Sequence, residues 1–110
     1  MKKWLIEYWK SASGKCLIEK WLDKLSNEQL KSVAKELLML ESYGNDLKLP
    51  HSRALGGGLF ELRERRFGYR IYYIFRDNYV IILLTAGDKQ TQENDIKTAR
   101  DRMLKIREEK

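Results

Sequence analysis

The sequence predicts an α+β domain, with elements in the order β-α-α-β-β-β-α. A small, mostly antiparallel sheet is expected to carry an N-terminal helical hairpin and a C-terminal helix. Three observations predict it. Apolar residues recur at helical spacing between residues 17 and 41, alternate with a period of two from Leu59, and return to helical spacing after residue 91. A capping-box tetrapeptide divides the first helical stretch in two. No linker, repeat or composition break interrupts the 110 residues, so residues 1–110 are read as one domain.

Each element follows from its own residues. Residues 4–9, Trp-Leu-Ile-Glu-Tyr-Trp, are strand formers. Leu17, Ile18, Trp21, Leu22 and Leu25 then mark a first helix. Ser26-Asn27-Glu28-Gln29 starts a second, because the Ser26 hydroxyl can accept from the Gln29 amide while the Gln29 side chain reaches back. Leu30, Val33, Ala34, Leu37 and Leu38 are its apolar stripe, and Gly44-Asn45 its end. Residues 46–58 read as a loop in which Gly56-Gly57-Gly58 is a flexible entry to a strand; the spacing and the Lys-Ser/Thr of a phosphate-binding P-loop are missing. From Leu59, Phe60 and Leu62 point one way while Glu61, Arg63 and Arg65 point the other. A turn at Phe67-Gly68 leads to a strand over residues 69–75, and Asp77-Asn78 suits a two-residue hairpin turn. Residues 79–84 are uniformly apolar, as in a strand covered on both faces. Thr91 or a neighbour caps a last helix with Ile96, Ala99, Met103 and Ile106 inward.

Composition narrows the function. The chain is 43% hydrophobic, which excludes a disordered tail, and its single Cys16 excludes an internal disulfide or a cysteine-based zinc site. No apolar run approaches the ~20 residues that span a bilayer, and Glu7 and Lys10 interrupt any signal-peptide core. The expectation is a soluble cytoplasmic protein without membrane attachment. Of the net charge of +6, five lie between residues 48 and 76: Lys48, Arg53, Arg63, Arg65, Arg66, Arg70 and Arg76 face only Glu61 and Glu64. No arginine precedes Arg53. The guanidinium fork suits phosphate better than an ammonium does, so a polyanion such as nucleic acid is one reading of this segment and a solvated basic surface is the other.

Few residues offer catalysis. His51 is the only histidine, and Cys16 sits in an apolar helical context where a buried, inert thiol is expected. Arg63 and Arg70 lie on neighbouring predicted strands and can share one face, where two guanidiniums would bind a phosphate and stabilise added negative charge. Tyr69 and Tyr72 could stack on bases or donate a proton, or Tyr69 could be core and Arg63 paired with Glu61 or Glu64. No metal or other cofactor is expected.

Four ordered motifs carry a resemblance: Leu55-Gly56-Gly57-Gly58-Leu59-Phe60-Glu61-Leu62-Arg63, Gly68-Tyr69-Arg70-Ile71-Tyr72-Tyr73, Gly87-Asp88-Lys89-Gln90-Thr91-Gln92, and Asp95-Ile96-Lys97-Thr98-Ala99. Over essentially its whole length the chain resembles the RelE/ParE toxin superfamily, and more narrowly the HigB-like addiction module killer proteins related to phage-derived toxins. The resemblance implies the toxin of a type II toxin–antitoxin pair. It implies metal-independent cleavage of mRNA on the ribosome, by attack of a 2′-hydroxyl on the adjacent phosphorus. Arg70 matches the family's phosphate-binding arginine, Arg63 the arginine of the preceding strand, and Lys89 a basic residue after the last core strand. The lysine pair of RelE falls near Leu59 and Glu61; HigB proteins instead use a histidine in the preceding loop region, and the resemblance implies His51 for that catalytic role. Lys48, Arg53, Arg65, Arg66 and Tyr72 are candidate RNA-binding residues. The implied partners are the ribosome with its mRNA and a helix-turn-helix, HigA-like antitoxin, with operator DNA bound only through the antitoxin complex. The same resemblance allows a ParE-like gyrase inhibitor without catalysis, or an inactive toxin acting only in operator-binding complexes.

Overall fold

A computed structural model describes residues 3–109. Strand β1 (Leu5–Tyr8) is followed by helices α1 (Leu17–Asp23) and α2 (Asn27–Tyr43), then by strands β2 (Ser52–Gly56), β3 (Leu59–Glu64), β4 (Tyr69–Arg76) and β5 (Val80–Asp88), and by helix α3 (Gln92–Glu108). A short 3₁₀ turn, Gly44–Asp46, ends α2. The sheet order is β1-β5-β4-β3-β2, antiparallel except for the parallel β1–β5 pair. The α+β class, the helical hairpin and the C-terminal helix are as the sequence predicts.

The helices cover both faces of the sheet. Ile18, Val33 and Leu40 of α1 and α2 pack with Leu62, Ile71, Tyr73, Ile81 and Leu83 on one side. Ala99 and Met103 of α3 pack with Leu59, Tyr72, Ile74, Val80, Ile82 and Leu84 on the other. This explains the unbroken apolar run in β5, an interior strand whose residues 80–84 are all buried. The capping box forms as predicted: Gln29 N donates to Ser26 Oγ at 3.2 Å and Ser26 N to Gln29 Oε1 at 2.8 Å. Cys16 is buried, as its apolar context suggested.

Four details differ from the sequence reading. Residues 46–58 are not a simple loop, because they contain β2, making five strands rather than four. This edge strand has no apolar alternation to announce it; pairing with β3 creates it, and Gly57 and Gly58 form the connecting turn at φ 66° and 90°. Arginines of α3 hold that turn: Arg100 Nη2 donates to Leu55 O at 2.9 Å and Arg107 Nη2 to Gly57 O at 2.6 Å. Leu17 is 41% exposed instead of packed. The β4–β5 turn is three residues long, since Arg76 pairs with Val80, and only Asp77 takes positive φ. Thr91 occupies the N-cap of α3 without a side-chain capping bond; Asp88 Oδ1 accepts from the Gln90 and Thr91 amides instead.

A β-bulge sets the register at one end of the sheet. Tyr72 pairs with Thr85 but Tyr73 with Leu83, so Leu84 is an extra residue in β5, and its carbonyl accepts from Arg102 Nη1 at 2.7 Å. Beyond this bulge the register places Gly87 opposite Arg70. A Cβ on Gly87 would collide with Asp95 Oδ2 and Thr91 Oγ1, so only glycine lets the first turn of α3 sit this close to the sheet. Gly87→Ala is therefore expected to cost about 1–3 kcal/mol by overpacking, read as a lower denaturant midpoint at unchanged slope.

Candidate functional site

Strand pairing builds two polar rows on the α3-facing side of the sheet. Arg53 of β2 pairs with Glu61 of β3, which pairs with Tyr72 of β4; one step further along, Arg63 pairs with Arg70, and Arg70 with Gly87. Because side chains alternate along a strand, the polar residues of both rows project from the same face as Leu59 and Ile74. Near residues 59 and 74 that face is closed by α3. At the Arg63–Arg70 end the helix has only begun, and the arginines line a small cavity.

Glu61 is the centre of the first row and is fully buried. Its Oε2 accepts from Gln92 Nε2 at 2.8 Å and lies 3.8 Å from Arg70 Nε, while Arg53 Nη2 is 3.4 Å from Oε1. Four segments (β2, β3, β4 and the start of α3) thus meet at one carboxylate. Tyr72, beside it, has its pKa raised by burial first and then by the negative charge of Glu61, so its hydroxyl keeps its proton. Asp95 is also raised, chiefly by burial, although a hydrogen bond from Thr91 Oγ1 at 2.5 Å opposes the shift.

Arg63, Arg65 and Arg70 line a cavity of about 130 Å³ together with Glu64, Gly68 and Tyr69. Arg70 Nη1 is fixed by the Gly68 carbonyl at 3.1 Å. Among the described residues Glu64 forms no ion pair with these arginines. Its buried carboxylate accepts from the amides of Arg66, Phe67 and Tyr69 at 2.9, 3.0 and 3.3 Å, and from Ser32 Oγ at 2.6 Å. Among the described residues Arg63 forms no ion pair, so the pairing with Glu61 or Glu64 that the sequence also allowed is not formed. The arrangement sets two cross-strand guanidiniums and a third at the turn around one small cavity. No three His, Cys, Asp or Glu side chains converge as a metal site among the described residues.

Residues 20–109 match the family model for phage-derived Gp49-like proteins. The chain belongs to the Gp49-like family. This Gp49-like protein is 36% identical over 85 residues to an uncharacterized protein of Haemophilus influenzae, a match covering 74% of this chain and 81% of the relative. Its fold is that of the RelE toxin of E. coli. A free arginine-to-alanine double mutant of RelE superposes with a TM-score of 0.65 at 14% identity, over 90% of this chain and 97% of the toxin. Isolated RelE in another crystal gives 0.56 at 16%, over 86% and 96%. Family and fold together agree with the superfamily that the four sequence motifs implied.

The Gp49-like protein places its sequence-predicted residues unevenly. Arg63, Arg65 and Arg70 are brought together at one cavity, Arg53 meets Arg70 only through the Glu61 carboxylate, and the exposed Lys89 follows β5 two residues beyond Gly87, at the same end of the sheet. His51 is not brought there: its Nδ1 is 3.0 Å from Glu36 Oε1 of α2, on the helical-hairpin side. Arg66 also turns to α2, with Nη2 3.4 Å from Glu28, and Lys48 lies exposed before β2. Tyr72 is fully buried and has no ring face open to a base. Tyr69 packs edge-on against Trp21 at 5.3 Å, as a core residue would. Sequence reasoning assigned no site role to Glu61, Gln92 or Asp95. The only signal for Glu61 was an acid alternating in step with the arginines; which helix would cover that face was not legible.

Proposed function

We propose that this Gp49-like protein is the toxin of a type II toxin–antitoxin pair and cleaves mRNA in the ribosome. The observation that carries the reading is the cross-strand pair Arg63–Arg70 at an arginine-lined cavity whose one glutamate is committed to backbone amides. In the reaction a ribose 2′-hydroxyl attacks the adjacent phosphorus. The bond to the 5′-oxygen breaks, leaving a 2′,3′-cyclic phosphate and a 5′-hydroxyl. Arg63 and Arg70 would neutralise the extra charge on the phosphoryl oxygens, and fixed donors of this kind are commonly the largest catalytic contribution. Arg53, Arg65 and Lys89 supply longer-range attraction for the RNA backbone. No proton step is assigned to His51, whose ring is engaged on the other side of the sheet. The partner is a cognate antitoxin of the helix-turn-helix, HigA-like type, and operator DNA is reached through their complex.

Inducing the protein alone, with transcript 5′ ends mapped with and without translation, tests this reading. Growth arrest with cuts inside codons that vanish when translation is blocked is the expected result. Arrest with intact transcripts and DNA-damage signalling would replace it with gyrase inhibition, and harmless expression would leave only a role in operator complexes.

A further inference from the structure

Glu61 Oε1 and Arg70 Nε are buried and, among the described residues, make ion-pair contacts without a hydrogen bond: Oε1 lies 3.4 Å from Arg53 Nη2 and Nε 3.8 Å from Glu61 Oε2, while the Tyr72 hydroxyl lies against the same carboxylate. Buried polar atoms nearly always form hydrogen bonds, so a buried carboxylate and guanidinium held only at ion-pair distance mark a place where packing serves something other than stability. Glu61 itself has no surface to offer RNA, being fully buried. Arg70 has: its side chain is 12% exposed and lines the cavity. A guanidinium presents its donors in a rigid plane, so fixing one edge fixes the direction of the others. Arg70 Nε faces Glu61 Oε2 at 3.8 Å, and Nη1 is held by the Gly68 carbonyl. The bond to Gly68 anchors one corner of the plane, and the Glu61 charge draws the Nε edge towards itself. Glu61 is in turn held by Gln92 from α3 and faced by Arg53 from β2.

We propose that Glu61 is the positioning residue of the site, orienting the Arg70 guanidinium toward the scissile phosphate through its Nε edge. The proposal rests on the endonuclease reading. A buried carboxylate also keeps Arg53, Arg63 and Arg70 on one face against their mutual repulsion, without itself meeting the substrate. The closest packed charges that bear on it are Arg53, Arg70 and, from α3, Asp95 beside Tyr72.

Glu61→Gln keeps the size of the side chain and removes its charge. In a ribosome-programmed cleavage assay the variant is expected to lose kcat by on the order of 10- to 100-fold, with KM for mRNA changed less than about threefold. In an Arg70→Lys background, where the Nε edge no longer exists, the same substitution is expected to cost less than about twofold. An equal loss in both backgrounds, or a loss confined to KM, would overturn the proposal. A second readout needs no activity: the Arg70 Nε–Hε resonance of ¹⁵N-arginine-labelled protein should exchange slowly with solvent in the parent and rapidly in Glu61→Gln. An unchanged resonance in the folded variant also overturns it. If the parent protein cleaves no RNA, the endonuclease reading fails, while the resonance still reports whether Glu61 holds Arg70.

Discussion

Arg70→Ala is expected to abolish growth arrest and to lower the cleavage rate by on the order of 10²- to 10³-fold, the usual consequence of deleting one fixed donor to a developing oxyanion. Geometry sets this residue apart from the chain's other basic side chains. Arg66 is tied to Glu28 on the surface of α2, and Arg76 to Glu7 at 2.8 Å. Arg70 is mostly enclosed, paired across the sheet with Arg63, hydrogen-bonded at Nη1 to the Gly68 carbonyl, and faced at Nε by the Glu61 carboxylate at 3.8 Å. Removing it leaves Glu61 with Gln92 and Arg53, so the expected loss of stability is only about 1–3 kcal/mol. The variant should therefore still melt cooperatively and co-purify with its antitoxin. Arg70→Lys keeps the charge and loses the planar fork, and is expected to fall between the parent and alanine. Cell growth on induction, single-turnover cleavage and a thermal melt together check the result. Full toxicity of Arg70→Ala would remove the residue from the mechanism.

The parts of this molecule that were legible in its sequence are those that local physics decides. Ser26 and Gln29 specify their capping box within four residues, and the change of period at Leu59 specifies β3. Arg63 and Arg70 were legible as a pair because a short turn between alternating strands fixes which residues face each other. What stayed hidden depends on elements distant in the chain. Strand β2 exists through its pairing with β3 and the arginines of α3 that hold its turn. The burial of Glu61 and Tyr72 depends on α3 lying over a face that carries alternating charges. His51 and Arg63 are close along the backbone, with the Arg63 amide donating to the His51 carbonyl at 2.8 Å. The His51 ring nevertheless turns to Glu36, 15 residues earlier, which no local pattern announces.

Glu64→Ala is expected to cost about 3 kcal/mol, the largest single loss of stability among the polar residues around the site. The buried carboxylate acts as a substitute backbone for the turn at residues 65–68. It accepts the amides of Arg66, Phe67 and Tyr69 within that hairpin tip and the Ser32 hydroxyl from α2. Hydrogen bonds to an ionised group are each worth about 1.5–3 kcal/mol, and deleting their shared acceptor leaves several donors to find water at once. Part of the loss is recovered by that water because the turn is at the surface, which brings the sum down to about the value of one or two such bonds. Glu64→Gln keeps one acceptor oxygen and is expected to lose roughly half as much. Ser32→Ala removes only the tie to α2, for about 1 kcal/mol, and in a Glu64→Ala background it should cost almost nothing, since the bond is already gone. Urea denaturation midpoints of the three single variants and the double variant measure this directly. The same change reaches the site. With Glu64 gone, the tip carrying Arg65 and leading into Arg70 loses its anchor, so cleavage should fall even where the protein remains folded. If Glu64→Ala stays within about 0.5 kcal/mol of the parent, as ordinary surface changes do, the carboxylate is not what holds the turn.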